Sequence, residues 1–205
     1  MTSPSVPEPS PLLVLANRLP VRRVRRGDRD DWETSPGGLV AALGPVLEAR
    51  PGQTTWVGWT GITGEHHEPF VVDGIGLEPV ELSRGEVQLF YEGFCNATIW
   101  PLYHDSIIRS EYHRTWWDSY LTVNRRFAEH AAARAARDAV VWVHDYQLQM
   151  VPNMLRSCSP RSPSTCGPSA APPRPYADRL PDRPGSVPGV RGSGGRYGQD
   201  RPRRA

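Results

Sequence analysis

The chain changes character after Arg156, and this break limits how much of it can fold. Residues 157–205 contain ten Pro, nine Arg, seven Gly and seven Ser, but only three residues of the Leu, Ile, Val, Phe and Met group. So little apolar surface cannot offset the entropy of ordering a backbone, roughly 1–2 kcal/mol per residue. The sequence therefore predicts a disordered tail over 157–205, a disordered Pro/Ser-rich start over 1–11, and one folded domain over 12–156.

Composition excludes several functional classes. The net charge is +6 in the tail and −4 in the first 156 residues, but the tail arginines are scattered among Pro and Gly, so we expect no nucleic-acid role. No apolar run approaches the ~20 residues of a membrane span, and the start lacks the charged and apolar regions of a signal peptide. Three cysteines, an odd number, argue against a disulfide framework and predict a cytoplasmic protein.

Short apolar runs alternate with helical patterns between residues 12 and 156. This alternation predicts an α/β fold with a Rossmann-like, doubly wound parallel sheet. The runs at 12–16, 54–59 and 139–143 are predicted as buried strands, and those at 71–82 and 87–91 as shorter strands. A charged loop is expected over 22–33. One helix is expected to begin at Ser35, which is a candidate cap. Two more are expected over 116–137 and from about Leu148 to Arg156.

Three polar positions follow strands or open a helix, where ligands of such sheets bind. Arg18 follows the first strand and suits bidentate binding of a phosphate, although a surface ion pair is the alternative. Gly37 and Gly38 open a helix and could let backbone N–H groups approach a phosphate, or could only form a tight turn. Asp145 follows the last strand and could orient sugar hydroxyls, or could cap the next helix.

An aromatic cluster stands in the segment from Tyr91 to His104. Tyr91, Phe94 and Trp100 with Asn96 are typical of a sugar-binding wall, and they could equally be core. The six histidines show no metal-ligand spacing, so we expect no metal site and no cofactor. No nucleophile elbow, phosphate-binding P-loop or dinucleotide fingerprint is present.

Five motifs occur in one familiar order along the folded part. They are Leu13–Val21, Ser35–Val40, Trp56–Gly61, Phe94–Pro101 and Trp142–Leu148. Together they resemble the N-terminal domain of trehalose-6-phosphate synthases, which are retaining glycosyltransferases. The resemblance implies one half of a two-domain GT-B fold, and a full-length family that can form homo-oligomers.

The resemblance also implies an activity and its residues. The family transfers glucose from a nucleotide sugar, commonly UDP-glucose, to glucose 6-phosphate in trehalose biosynthesis. Arg18 matches the arginine on the acceptor phosphate, and Tyr91 and Trp100 match aromatics lining that site. Asp145 matches the aspartate at the acceptor hydroxyls, where it would serve catalysis, and Gly37 with Gly38 matches the loop at the donor diphosphate.

The sequence departs from the family beyond Arg156. The family's next strand motif and its donor-binding cationic residues are absent, so we expect this chain to be an inactive fragment. The tail reads like a frame-shifted translation of a GC-rich gene, with a genuine disordered tail as the alternative. Two other functions stay open: a non-catalytic sugar-phosphate-binding remnant, or a related transferase with another acceptor, such as a glucosylglycerol-phosphate synthase.

Overall fold

The structure is a computed structural model that describes residues 9–27, 29–50 and 52–157. The tail predicted to be disordered therefore lies outside the described residues, apart from Ser157, and so do residues 1–8 of the predicted disordered start. Residues 9–11 are described, and the first strand begins at Ser10, two residues before the predicted domain boundary.

Seven strands and five α-helices form the described part. The strands are β1 (Ser10–Arg18), β2 (Val21–Arg26), β3 (Arg29–Thr34), β4 (Thr54–Trp59), β5 (Phe70–Val72), β6 (Ile75–Pro79) and β7 (Ala135–Val143). The helices are α1 (Gly38–Glu48), α2 (Arg84–Glu86), a π-helix (Val87–Ile99), α3 (Trp100–Tyr103), α4 (Arg114–Arg134), a 3-10 turn (Tyr146–Leu148) and α5 (Val151–Ser157).

The central sheet has five strands in the order β5-β6-β4-β1-β7. β1 pairs in parallel with both β4 and β7, and β4 pairs in parallel with β6. Only β5, at one edge of this sheet, runs antiparallel to its neighbour. The predicted doubly wound parallel sheet is therefore confirmed, with one short antiparallel strand added at its edge.

Helices cover both faces of the sheet, and the side chains of β1 alternate between the two cores that result. Leu13 and Leu15 belong to the larger core, which contains residues of the π-helix, α4 and α5. Val14 and Ala16 face the smaller core, which α1 closes with Leu43 and Leu47. A strand that is buried on both faces needs a continuous apolar run, which the sequence supplies from Leu12 to Ala16.

The charged segment predicted as a loop over 22–33 is a β-hairpin. β2 and β3 pair antiparallel from Val21–Thr34 to Arg26–Arg29. Trp32 anchors the hairpin to the body of the protein by stacking on Phe70 at 5.3 Å between ring centroids. The prediction was wrong because neither VRRVRR nor RDDWET alternates apolar and polar residues, so the sequence carries no strand pattern there and the pairing of the two segments decides their structure.

The segment predicted as a strand over 87–91 is helical. Ser83 and Glu86 form a capping box, in which Glu86 N–H donates to Ser83 Oγ at 3.3 Å and Ser83 N–H donates to Glu86 Oε2 at 2.9 Å. The helix that starts there continues through the π-helix into α3. Gly93 lies against α4, since a Cβ atom there would stand only 2.7 Å from the Trp116 indole.

Helix α4 confirms the strongest helix prediction, with Tyr120, Val123 and Phe127 fully buried on one face. It ends at Arg134, so β7 begins at Ala135, four residues earlier than predicted. Two α4 side chains bind the buried carboxylate of Glu78 on β6: Arg134 Nε at 2.6 Å and His130 Nδ1 at 2.8 Å. This ion pair joins the C-terminal end of α4 to the sheet.

Candidate functional site

The candidate site lies where the strand order of the sheet reverses. After β1 the chain adds β4 and then β6 on one side, and it returns across the sheet to add β7 on the other side. The carboxyl ends of β1 and β7 therefore border a topological switch point, which is where open α/β sheets bind ligands. Arg18 ends β1, and Asp145 follows β7 by two residues.

Arg18 occupies a corner built by the neighbouring strand. Its register partner on β4 is Trp59, and its guanidinium carbon lies 4.9 Å from the centre of the Trp59 indole. The guanidinium also packs against Gly61, where φ is +90° and a Cβ atom would collide with it. Among the described residues, no carboxylate forms a salt bridge with Arg18. The predicted alternative of a surface ion pair is therefore not what the structure shows.

The β2–β3 hairpin brings the two glycines toward the same edge of the sheet. Its neck is closed by a hydrogen bond from Ser35 N–H to Pro20 O at 2.7 Å. Arg18 therefore stands two residues before the neck, and Gly37 two residues after it. The sequence predicted Ser35 as the cap of α1. This prediction was wrong, because the N-cap residue is Gly37.

The helix start at Gly37 and Gly38 is open. No side chain caps α1, and a Cβ atom on Gly38 would meet no described atom within 4 Å. The φ of Gly37 is −171°, an extended conformation that any residue adopts. Neither packing nor backbone conformation therefore requires glycine here. The absence of side chains leaves the backbone N–H groups of the first helical turn accessible to an anion.

Asp145 combines a strained backbone with a capping role. Its φ of 69° and ψ of 171° lie in a region that residues other than glycine rarely occupy, at a cost of about 1–3 kcal/mol. Its carboxylate accepts a hydrogen bond from Tyr146 N–H at 2.8 Å and so caps the 3-10 turn. The capping alternative is thus observed. The side chain is nevertheless exposed and leaves acceptor positions for a ligand.

The predicted aromatic residues do not form one wall: Tyr91 and Phe94 pack against the larger core, and Trp100 lies at the surface beside His104. Trp100 is 40% exposed and stacks on His104 at 4.7 Å, and His104 meets the edge of Tyr146 at 6.4 Å. Tyr91 is half-buried against the larger core. Burial raises the pKa of Tyr146, and the charges of Asp145 and of Tyr91 add to this effect. Tyr146 therefore lies beside Asp145 and His104, and Trp100 is linked to it through His104.

Cys95 lies beneath this group on the π-helix. It is fully buried, and burial followed by the charge of Asp145 raises the pKa of its thiol. A thiol in such surroundings stays protonated and is not a nucleophile. Cys95 therefore contributes to the packing of the larger core.

Sequence reasoning found the polar side chains but missed their supports. It assigned no role to Trp59, which ends β4, or to Gly61, which follows it, although both hold the Arg18 guanidinium. The available signal was the parallel pairing of β1 with β4, which places their carboxyl ends side by side. Within the described residues, no hydrogen bond or salt bridge joins Arg18 to Asp145, so the corner formed by Arg18, Trp59 and Gly61 is separate from the group around Tyr146.

Two clefts of the described residues lie away from this site. One of about 460 Å³ is bordered by Trp32, His67 and Phe70, and another of about 530 Å³ by Glu86, Arg126 and their neighbours. The candidate site is instead an open edge of the sheet. The part of the chain that the structure describes contains no cluster of three or more potential metal ligands. It also contains no helix that is long and apolar enough to cross a bilayer.

Comparison with known proteins gives a consistent family. The family model of glycosyltransferase family 20 matches residues 10–163. The trehalose-6-phosphate synthase of Mycolicibacterium smegmatis is 55% identical over 152 residues, which cover 74% of this chain and 30% of that protein. The chain thus spans about a third of the length of the curated relatives it matches.

Solved structures agree with this result. One described as trehalose-6-phosphate synthase, OtsA, has a TM-score of 0.59 and 30% identity, with coverage of 72% of this chain and 31% of that one. An E. coli structure described as bound with UDP-2-fluoro glucose has a TM-score of 0.56 and 28% identity, covering 71% of this chain and 30% of that one.

Proposed function

Because the chain belongs to glycosyltransferase family 20, we propose that its described residues form the acceptor-binding part of a trehalose-6-phosphate synthase. The reaction is transfer of glucose from a nucleotide sugar such as UDP-glucose to glucose 6-phosphate, with retention of configuration. The curated relatives that carry this name are about three times as long as the segment they share with this chain. The proposal for this chain therefore concerns acceptor binding and positioning.

The Arg18 corner is the observation that carries the proposal. An arginine at the switch point of the sheet has no carboxylate partner among the described residues, and Trp59 and Gly61 fix the plane of its guanidinium. A planar, preorganised fork of N–H donors matches the oxygens of a phosphate. The phosphate of glucose 6-phosphate would therefore bind beside β1 and β4.

The sugar ring would then extend toward β7. Asp145 offers an exposed carboxylate that can accept hydrogen bonds from hydroxyl groups, and Trp100 offers a partly exposed aromatic surface. Tyr91, which packs half-buried against the larger core, would supply further aromatic surface. Aromatic surface with a few fixed polar atoms is the usual composition of a sugar site.

The open start of α1 would hold a donor phosphate. Gly37 and Gly38 leave backbone N–H groups without side-chain caps, and the positive end of the helix dipole favours an anion. The hydrogen bond that closes the neck of the hairpin brings this helix start back toward Arg18. The nucleotide diphosphate and the acceptor phosphate would thus bind on adjacent elements.

The chemistry contributed by this part is positioning. Arg18 and Asp145 would hold the acceptor at its phosphate and its hydroxyls, so that the attacking oxygen faces the anomeric carbon of the donor. Cys95 is not an activated nucleophile, since burial keeps its thiol protonated. As the one described cysteine is a free thiol, the protein fits a reducing compartment, and we propose the cytoplasm.

The test is a calorimetric titration of the 205-residue chain with glucose 6-phosphate. Arg18→Ala should weaken binding by about tenfold to a hundredfold, because a charge-assisted bond to phosphate contributes roughly 1.5–3 kcal/mol. Arg114→Ala is the matched control, since Arg114 is exposed and pairs with Asp118 on α4. Equal weakening by both variants, or unchanged binding with Arg18→Ala, would contradict the assignment of Arg18 to the acceptor phosphate.

A further inference from the structure

Asn17 is a buried polar residue whose side chain has an unmet hydrogen-bonding atom. It precedes Arg18 at the carboxyl end of β1, and only 8% of it is exposed. Its Oδ1 atom is buried and accepts no hydrogen bond from any described residue. An amide oxygen withdrawn from water without a partner destabilises a fold, so this side chain calls for an explanation.

The other strongly buried asparagine shows what a structural role looks like in this protein. Asn124 on α4 is fully buried, and its Nδ2 atom donates to Tyr120 O at 2.9 Å and to Gln147 O at 3.0 Å. Its Oδ1 atom accepts from Met150 N–H at 3.1 Å. Asn124 therefore connects α4 to the segment after β7 by hydrogen bonds, whereas Asn17 Oδ1 makes no such connection.

The position of Asn17 connects it to the switch point. Leu15 pairs with Val143 on β7, and His144 N–H donates to Leu15 O at 2.8 Å. Two residues beyond this pair along the chain are Asn17, which is still on β1, and Asp145, which follows the end of β7. Asn17 thus lies at the carboxyl end of β1, next to Arg18 in sequence and across the switch point from the strained Asp145.

We propose that the Asn17 amide hydrogen-bonds a ring hydroxyl of the acceptor sugar phosphate and so helps to select the sugar. This inference rests on the proposed function and adds a residue to it. An amide carries both a donor and an acceptor, which matches a hydroxyl group, and it carries no charge for a phosphate. The phosphate is already matched by Arg18.

The physical consequence is selectivity for hydroxylated sugars. A site that leaves a buried polar atom unpaired without its ligand gains that hydrogen bond only with the correct substrate. An analogue without the hydroxyl leaves the atom unpaired and binds less tightly. Asn17 would therefore lower the stability of the free protein and raise its discrimination between hexose phosphates.

Asn17→Leu tests both effects, because leucine has a similar size and no polar atom. We expect the thermal midpoint of the ligand-free chain to rise by about 2–4 °C, as an unpaired amide is removed. We expect the affinity for glucose 6-phosphate to fall by about threefold to tenfold. Asn17→Ala, which adds no volume, should show the same loss of affinity. Asn124→Leu is the control and should lower the midpoint.

Deoxy analogues identify the interaction. The 2-, 3- and 4-deoxy forms of glucose 6-phosphate should each be titrated into the unmodified chain and Asn17→Leu. The analogue that lacks the hydroxyl bound by Asn17 should bind both proteins with equal affinity, because neither protein can then form this hydrogen bond. The inference is overturned if Asn17→Leu lowers the thermal midpoint as Asn124→Leu does, or if no analogue removes the difference between the two proteins. Failure of the unmodified chain to bind glucose 6-phosphate would instead overturn the proposed function itself.

Discussion

Replacing Glu78 by Gln should lower the free energy of unfolding by about 2 kcal/mol at pH 7. Glu78 is 7% exposed on β6 and accepts hydrogen bonds from Arg134 and His130 of α4. Removing one partner of a buried ion pair costs about 3–5 kcal/mol, because the other charge stays buried. Gln keeps the volume and one acceptor for Arg134, so we place the cost below that range.

The pH dependence follows from the pKa of Glu78. Burial alone would raise this pKa, but the hydrogen bonds from His130 and Arg134 outweigh burial and lower it below the ordinary value of 4.5. A carboxyl whose pKa is lower in the folded state contributes its full stabilisation above the unfolded pKa. This stabilisation is lost as pH falls below 4.5 and through the folded pKa. The difference between the unmodified chain and Glu78→Gln should therefore shrink in acid.

The measurement is urea denaturation, followed by tryptophan fluorescence, at pH 7, 6, 5, 4 and 3. Asp118→Asn is the matched control, since Asp118 pairs with Arg114 at 3.0 Å on the exposed surface of α4. Exposed pairs contribute about 0–1 kcal/mol, so this variant should change stability little. A loss below about 0.5 kcal/mol for Glu78→Gln at pH 7, or a difference that grows in acid, would refute the reasoning.

Three further variants test other contacts. Gly61→Ala should weaken glucose 6-phosphate binding measured by calorimetry, because a methyl group at φ +90° would displace the Arg18 guanidinium; unchanged affinity would contradict this. Tyr120→Phe should lower the free energy of unfolding in urea by about 1–3 kcal/mol, since it removes the hydrogen bond to Tyr146 O at 2.8 Å; a loss within error would show that this bond contributes nothing. The edge strand β7, where Trp142 is 46% exposed, should pair with a second copy of the chain, so we expect the unmodified chain to self-associate in sedimentation velocity and Trp142→Arg to reduce this; a monomeric unmodified chain, or an unchanged sedimentation coefficient in the variant, would contradict the prediction.

Local patterns predicted most of the sheet and the positions of the candidate ligands. The buried strand at Leu12–Ala16 and the helix around Tyr120 were correctly predicted, because continuous and helical apolar patterns report burial directly. The segment 87–91 was wrongly predicted as a strand, although Ser83 and Glu86 supplied a capping-box signal. A short run of β-branched and aromatic residues fits either structure, and packing against α4 decides between them.

By itself, the sequence determined the fold class, the family resemblance and the identity of the polar residues at the strand ends. These properties depend on residue type and on spacing along the chain. Only the tertiary structure decided that Trp59 and Gly61 hold Arg18, that Asp145 has a strained backbone, and that Asn17 is buried with an unpaired oxygen. Such properties depend on which strands become neighbours and on which atoms remain without partners, and neither is encoded in local sequence spacing.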